Sequence, residues 1–509
     1  MNKKWLRSLF RRRILVILLL IFQFLFMLYL LQSTSAISDV ISGVFKVISI
    51  VVSLYIFSRR DKGAYKLTWV FMILMFPLFG GLFYLIFNFQ SSPRRAAKKM
   101  ASISQTSNRY FRMPSNDIDR AKISLPKYKP SLDYMQNCAG FPVYNGRETK
   151  FLSPGEDFFE QLTLALEKAE KYIFLEYFII QEGKMWNTVL DILKRKVNQG
   201  VKVRVIYDDM GCFFLLPAGY AKTLKSYGIE CVVFNPFRPF LSVIQNNRDH
   251  RKIAVIDGKI AFTGGINLAD EYINAYEKHG HWKDSAVMLN GKAAWGLTVI
   301  FLQMWELCTK TKEDYINYYP DEDYSEDKNG FIIPYCDSPL DSENVGEHVY
   351  LQIINNAKDY IYINTPYLII DDSMVSALTL AAKSGIDVRI VTPHKWDKYL
   401  VHMATRSYYR ELINAGVKIY EYTNGFIHSK TFVSDDLTAT VGTTNLDFRS
   451  LYLQFECGVL MYDTTAVLKV KEDFLKTLKT CQQIKKEDCK CNPIKRLFQD
   501  ILRLIAPLM

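Results

Sequence analysis

Two stretches of this chain repeat one spaced pattern at a fixed offset, and that repetition limits the fold more than any other feature. NNRDHRKIAVIDGKIAFTGGIN runs from Asn246 to Asn267, and FIHSKTFVSDDLTATVGTTN from Phe426 to Asn445. Each holds a histidine, then lysine after one residue, aspartate after four more, glycine after six and asparagine after two. The matched pairs are His250/His428, Lys252/Lys430, Asp257/Asp435, Gly264/Gly442 and Asn267/Asn445, every one offset by 178 (428 − 250). The flanks repeat more loosely. KYIFLEYFII (171–180), MWNTVLDILKRKVNQG (185–200) and VKVRVIYD (201–208) read as strand, helix and strand. DYIYINTPYLII (359–370), MVSALTLAAKSG (374–385) and IDVRIVTP (386–393) follow in the same order. Strands alternating with amphipathic helices predict an α/β fold, here built twice as two duplicated α/β/α halves.

The spacing has a chemical consequence. IAVID and TFVSD are strand-like, and side chains two apart on a strand share a face. His250 and Lys252 then emerge together, as do His428 and Lys430, while Asn267 and Asn445 return from the next strand after a glycine turn. Halves related by a pseudo-twofold axis would gather two imidazoles, two ammonium groups and two amides in one shared active site. Such a cleft suits a phosphoryl group, because lysine and asparagine stabilise charge on its non-bridging oxygens; one well-placed donor is worth about 3–4 kcal/mol. Two histidines suit a two-step substitution. One attacks phosphorus, and the other protonates the departing alcohol and then deprotonates the incoming one. With an unperturbed pKa of about 6.5, imidazole serves in either form near neutrality. The catalytic set is therefore His250, Lys252, Asp257, His428, Lys430 and Asp435, with the aspartates as tuning or orienting groups. Asn267 and Asn445 bind the phosphate. The lysines supply the positive charge, so no metal or cofactor is expected.

Composition narrows the partner. The chain has 509 residues, 49% apolar and 23% charged, which excludes a disordered protein. Its net charge of +12 favours an anionic partner. No basic stripe with interleaved aromatics points to nucleic acid. The nine cysteines are scattered and odd in number, unlike a disulfide framework.

The first 90 residues differ from the rest. Ile14–Leu31 is an uncharged run of 18 residues behind a basic flank. Ile37–Phe57 carries Asp39 and Lys46, and Leu67–Phe89 is uncharged but contains Pro77, Gly80 and Gly81. Their lengths predict transmembrane helices at about 14–31, 37–57 and 67–89, and a multi-pass protein of a cell membrane. The basic stretches SRRDKGAYK and PRRAAKK both favour the cytoplasm and cannot both lie there if the third run crosses, so the side of the catalytic part stays open. The expected organisation is a transmembrane region over 1–90, a basic linker over 91–139, and halves over 140–335 and 336–509. In the tail, Ile494, Leu497, Phe498, Ile501, Leu502 and Ile505 fall on one helical face, which either packs on the domain or lies against a bilayer.

The paired motifs resemble those of the phospholipase D superfamily, and from about residue 38 onward the chain resembles the bacterial cardiolipin synthases. The likeness extends through YFII after Glu176, NNRDHRK, GGINLADEY, HWKDSAV with Trp282 and Asp284, TPYL near Tyr367, and NLDFRSLYLQFE with Arg449 and Glu456. Gly265 and Thr443 stand where the superfamily often has serine, and Asp249 replaces an asparagine just before the first histidine, adding negative charge near the phosphate site. The resemblance implies transfer of a phosphatidyl group from one phosphatidylglycerol to another, giving cardiolipin and glycerol in an anionic membrane. A phospholipase D-type hydrolase or phosphatidylserine synthase is the alternative, and a nuclease a more distant one. The resemblance also implies His250 as nucleophile, His428 as acid/base, and Glu456 as a group supporting the site from behind; the motif spacing alone does not order the histidines.

Overall fold

The computed structural model describes residues 36–59, 62–76, 80–81, 84–85, 91–113, 117–146, 149–237, 245–320 and 330–508. They divide into two compact units, one from residues up to 95 with 237–246 and 504–509, the other from 96–236 and 247–503.

The second unit contains the duplication. The first half forms a seven-stranded sheet in the order Lys150–Leu152, Ala286–Asn290, Ile260–Gly264, Lys252–Ile256, Tyr172–Tyr177, Lys202–Asp208, Glu230–Phe234. The last three strands are parallel, Lys252–Ile256 is antiparallel to them, and Ile260–Gly264 is antiparallel to Lys252–Ile256. The second half repeats this plan with Gln454–Tyr462, Thr438–Gly442, Thr431–Ser434, Tyr360–Asn364, Asp387–Pro393 and Lys418–Tyr422. Strands Tyr172–Tyr177 and Tyr360–Asn364 are buried at every residue, as expected when both faces are covered. Helices Gly155–Glu167 and Lys184–Asn198 pack together on the first half. The helix Lys292–Thr309 is buried around its whole circumference from Ala293 to Glu306, touching strand Ile260–Gly264 of one sheet and Phe331–Asp337 of the other.

The chain does not divide cleanly between the sheets. Tyr144–Asn145 pairs with Phe331–Asp337 at the edge of the second sheet. Residues 91–137 are mostly helical, as Ser91–Phe111, Ile118–Ser124 and Lys129–Asn137. In the tail, helix Pro493–Ile505 buries Leu502 but leaves Ile494, Leu497, Phe498 and Ile501 exposed.

The first unit overturns the expected transmembrane helices. Among the described residues no helix is long and apolar enough to cross a membrane. Over 37–57 a helix does form, Ala36–Ser58, but its sequence is broken by Lys46, Ser49 and Ser53. Over 67–89 the helix is Gly63–Met75, and 13 residues at about 1.5 Å each fall well short of a hydrocarbon core of about 30 Å. It stops at Phe76, the residue before Pro77, where the proline ring disfavours helical geometry. The two helices instead share a small core of Val52, Ile56, Trp69 and Ile73, joined by Tyr84 from beyond them. The run 14–31 lies outside the described residues.

Candidate active site

Cross-pairing between the halves builds the site. Arg248–Asp249 runs parallel to the start of Gln454–Tyr462, with Arg248 opposite Gln454 and Asp249 opposite Phe455. One step further along each strand stand His250 and Glu456. The pseudo-equivalent pairing sets Gly425–Ile427 parallel to His281–Lys283, ending with Ile427 opposite Lys283. One step further stand His428 and Asp284. The His250 N–H donates to the Phe455 carbonyl and the His428 N–H to that of Lys283, so each histidine backbone is fixed by the other half.

The side chains follow. His250 Nδ1 lies 2.9 and 3.0 Å from the two oxygens of Glu456, and His428 Nδ1 lies 2.7 Å from Asp284 Oδ2. A proton on Nδ1 aimed at the carboxylate leaves the Nε2 lone pair bare, the arrangement a nucleophile or base needs. Phe178 meets the His250 ring edge-on at 5.1 Å, and Tyr272 meets His428 similarly at 5.6 Å.

Each motif lysine donates to the carbonyl of its own histidine, Lys252 to His250 and Lys430 to His428. Burial brings Lys252 down to about 8 and Lys430 down to about 7, the latter also repelled by Lys252. Burial, then Lys252, Lys430 and His428, hold the His250 imidazolium well below histidine's usual range, and burial with Lys430 lowers His428 to about 4. Burial pushes Glu456 up to about 8. Asp284 feels the same upward push, but His428 and Lys430 hold it below the usual carboxylate range. The two buried ammonium groups thus oppose one another's charge and hold both imidazoles neutral at rest.

The asparagines differ. Asn267 Oδ1 accepts from the Ile179 N–H at 3.0 Å, and its Nδ2 donates to the Tyr272 hydroxyl at 2.7 Å. Asn445 is buried, and its Oδ1 has no hydrogen-bond partner among the described residues.

The motif aspartates are not at this enclosure. Asp257 accepts from the backbone N–H groups of Glu170, Lys171 and Tyr172 at 2.7–2.8 Å. Asp435 accepts from those of Lys358, Asp359 and Tyr360 at 2.8–3.1 Å. Each anchors the chain entering a central strand. Asp249 pairs with the fully buried Arg251, which also reaches Glu176 at 2.8 Å, and its charge still acts on Lys252.

Sequence reasoning assigned no role to Asp284. A signal was present: Asp284 precedes Glu456 by 172 residues (456 − 284), close to the motif offset, and lies just before strand Ala286–Asn290, the counterpart of the strand that carries Glu456. Thr443 was marked only as a departure, yet its hydroxyl donates to Glu456.

The family description "Cardiolipin synthase, PLD-like domain" matches residues 162–305 and 350–478, and "Phospholipase D-nuclease N-terminal" matches 47–87. An uncharacterized protein of Streptococcus mutans is 44% identical over 458 residues, covering 90% of this chain and 99% of that protein. A cardiolipin synthase of Geobacillus kaustophilus is 36% identical over 462 residues, covering 90% and 92% respectively. The crystal structure of phosphatidylserine synthase from Haemophilus influenzae shares the fold, with a TM-score of 0.55 at 15% identity over 72% of this chain and 94% of that one. With its duplicated motif and these full-length relatives, the chain belongs to the cardiolipin synthase family of the phospholipase D superfamily.

Proposed function

We propose that this protein is a cardiolipin synthase, a phosphatidyltransferase that moves a phosphatidyl group from one phosphatidylglycerol to a second, in a membrane-associated setting. The observation that carries the reading is the pair of histidines, each held through Nδ1 by a carboxylate from the opposite half, above two buried lysines.

Nε2 of one imidazole attacks phosphorus, and the bond to the glycerol oxygen breaks. The other imidazole, protonated, delivers its proton to that oxygen, and glycerol leaves. The same imidazole then takes the proton from a headgroup hydroxyl of the second phosphatidylglycerol, whose oxygen attacks phosphorus as the phosphorus–nitrogen bond breaks. Cardiolipin leaves and both histidines return to their starting state. The family likeness favours His250 as nucleophile and His428 as acid/base. Lys252 and Lys430 hold the non-bridging oxygens, with Asn267 and Asn445 as further phosphate contacts. Glu456 and Asp284 orient the imidazoles, and Asp257 and Asp435 act through the backbone.

Labelled phosphatidylglycerol incubated with the protein should yield cardiolipin and glycerol when products are resolved. Phosphatidic acid as the sole lipid product would overturn the synthase reading in favour of hydrolysis, which shares the same covalent intermediate.

A further inference from the structure

Large apolar side chains stand exposed at two places that the duplication relates. Strands Lys202–Asp208 and Asp387–Pro393 are counterparts, each parallel to the strand entering its half's centre. The segment leaving the first exposes Met210 and Phe214, the latter 74% accessible. The segment leaving the second exposes Trp396, Tyr399 and Leu400, at 52%, 54% and 48%. Ligands of such sheets bind beyond the carboxyl ends of the parallel strands.

The first segment reaches His250 through Phe178, and the second reaches, through Tyr367, the strand Leu368–Ile369 that pairs with Leu446–Asp447 beside Asn445. Gly211 lies so close to the Phe178 carbonyl that a Cβ there would come within 2.0 Å of it, and Phe178 packs on His250. The Tyr367 hydroxyl donates to Asp397, and Lys398 lies over the Tyr367 ring at 5.6 Å. Lys398 also adds to the repulsion felt by His250.

Single exposed apolar residues are ordinary. Three in five positions, flanked by exposed Lys395 and Lys398, are not. Asp397 is the one acid in 394–400, against Lys395 and Lys398, so the segment carries a net positive charge. Tryptophan and tyrosine rings settle at the headgroup level of a bilayer, and lysines beside them meet anionic headgroups.

We propose that His394–Leu400, with Met210–Phe214 as its counterpart, seats the rim of the active site on the surface of an anionic phospholipid bilayer. A headgroup then reaches the histidines while its acyl chains stay in the lipid. This rests on the phospholipid substrate proposed above.

The test compares the full-length protein with the triple variant Trp396→Ser, Tyr399→Ser, Leu400→Ser. Phosphatidylglycerol is presented either as vesicles or dispersed in non-ionic detergent micelles. The variant should lose at least tenfold in vesicles and less than twofold in micelles. Equal loss in both, or loss in neither, overturns the proposal. A direct readout uses phosphatidylglycerol vesicles containing nitroxide-labelled lipid, which should quench a fluorescence component that Trp396→Phe removes. Absence of that quenching overturns the proposal, as does self-association of the wild type without lipid that the triple variant abolishes, which would assign the patch to a second copy. Should the wild type make no cardiolipin in either presentation, the functional reading fails, while the quenching still decides the docking surface.

Discussion

The two halves carry the same five motif residues, yet their histidines are not held alike. His428 faces a short aspartate that sits where a side chain at position 265 would lie: a Cβ on Gly265 would come within 2.0 Å of Asp284 Oδ1. His250 faces a longer glutamate, and position 443 keeps its side chain, whose hydroxyl donates to that glutamate. Asp284 is held below the usual carboxylate range, whereas Glu456 is pushed up to about 8. One imidazole therefore rests against a fixed negative charge and the other against a group that gains or loses a proton near neutrality. A duplicated motif preserves the reacting groups, while the residues behind them are free to diverge. That divergence lets two identical side chains play different parts in one reaction.

The largest expected effect breaks the symmetry outright. His250→Ala and His428→Ala should each lower transfer by on the order of 10⁴-fold or more, since a nucleophile or a general acid is removed. With phosphatidylglycerol labelled in its phosphatidyl moiety, quenching in detergent denaturant at mildly alkaline pH, where the phosphorus–nitrogen bond survives, should trap label on one variant and not the other. The labelled variant retains the nucleophile. Label on both would mean that the histidines are interchangeable and that the comparison is wrong.

Next come the carboxylates. Asp284→Asn and Glu456→Gln keep the shape but remove the charge facing Nδ1, and beside a catalytic histidine such a change costs about 10²- to 10⁴-fold. The larger loss should fall on Asp284→Asn, because Asp284 is the more firmly ionised partner. Gly265→Ala should approach the same loss through displacement of Asp284, and restoring activity with a smaller neighbour is not open to it, since the clash is with the carboxylate itself. Steady-state rates of the three variants, with circular dichroism to verify folding, check the order.

A different outcome is expected for the motif aspartates. Asp257→Ala and Asp435→Ala remove an acceptor of three backbone N–H groups, at a cost of roughly 2–5 kcal/mol in stability if two or three charge-assisted bonds are lost. Both residues also have φ of +53°, which asparagine tolerates better than alanine. Denaturant unfolding should show that loss, with kcat reduced far less than by either histidine substitution while the protein stays folded. Loss of kcat without loss of stability would return the aspartates to the chemistry.

These contrasts mark how far the sequence was legible. His250 with Lys252 and His428 with Lys430 could be read because strand periodicity alone places residues two apart on one face. The same periodicity misleads for Asp257: five residues beyond Lys252, at about 3.3 Å each, carry it roughly 16 Å to the other end of the strand. The partners of the histidines depend on parallel pairing between strands that lie more than a hundred residues apart in the chain, and no local pattern encodes that register. Glu456 is legible only through family likeness, and no role for Asp284 can be read without that register. The run 37–57 was legible as a helix, Ala36–Ser58, but the run 67–89 was legible only as apolar, because Met75 ends its helix well before that run itself ends. The helices within 91–137 were hidden by a basic, polar, proline-bearing composition that reads as linker.

The smallest effect sharpens the comparison most, because it touches a group that only one half possesses. The Thr443 hydroxyl donates to Glu456 and favours its ionised form. Removing it in Thr443→Ala should cost about 1.5 kcal/mol, or roughly tenfold, as for a hydrogen bond to a charged group. The pH dependence gives the sign. Glu456 loses its proton as pH rises through about 8, so whatever requires its carboxylate increases with pH. Lys430 and Lys252 lose their charge as pH rises through about 7 and 8, so phosphate binding declines. The profile of kcat/KM therefore has an ascending limb owed to Glu456 and a descending limb owed to the lysines. Without the hydroxyl, Glu456 holds its proton to higher pH, so the ascending limb moves upward, the descending limb stays, and the maximum narrows and falls. Thr443→Ser should restore both height and width, since it keeps the donor. A uniform drop at every pH in Thr443→Ala would mean that Thr443 serves packing alone, and the two histidines would then differ only in the length of the side chain that faces them.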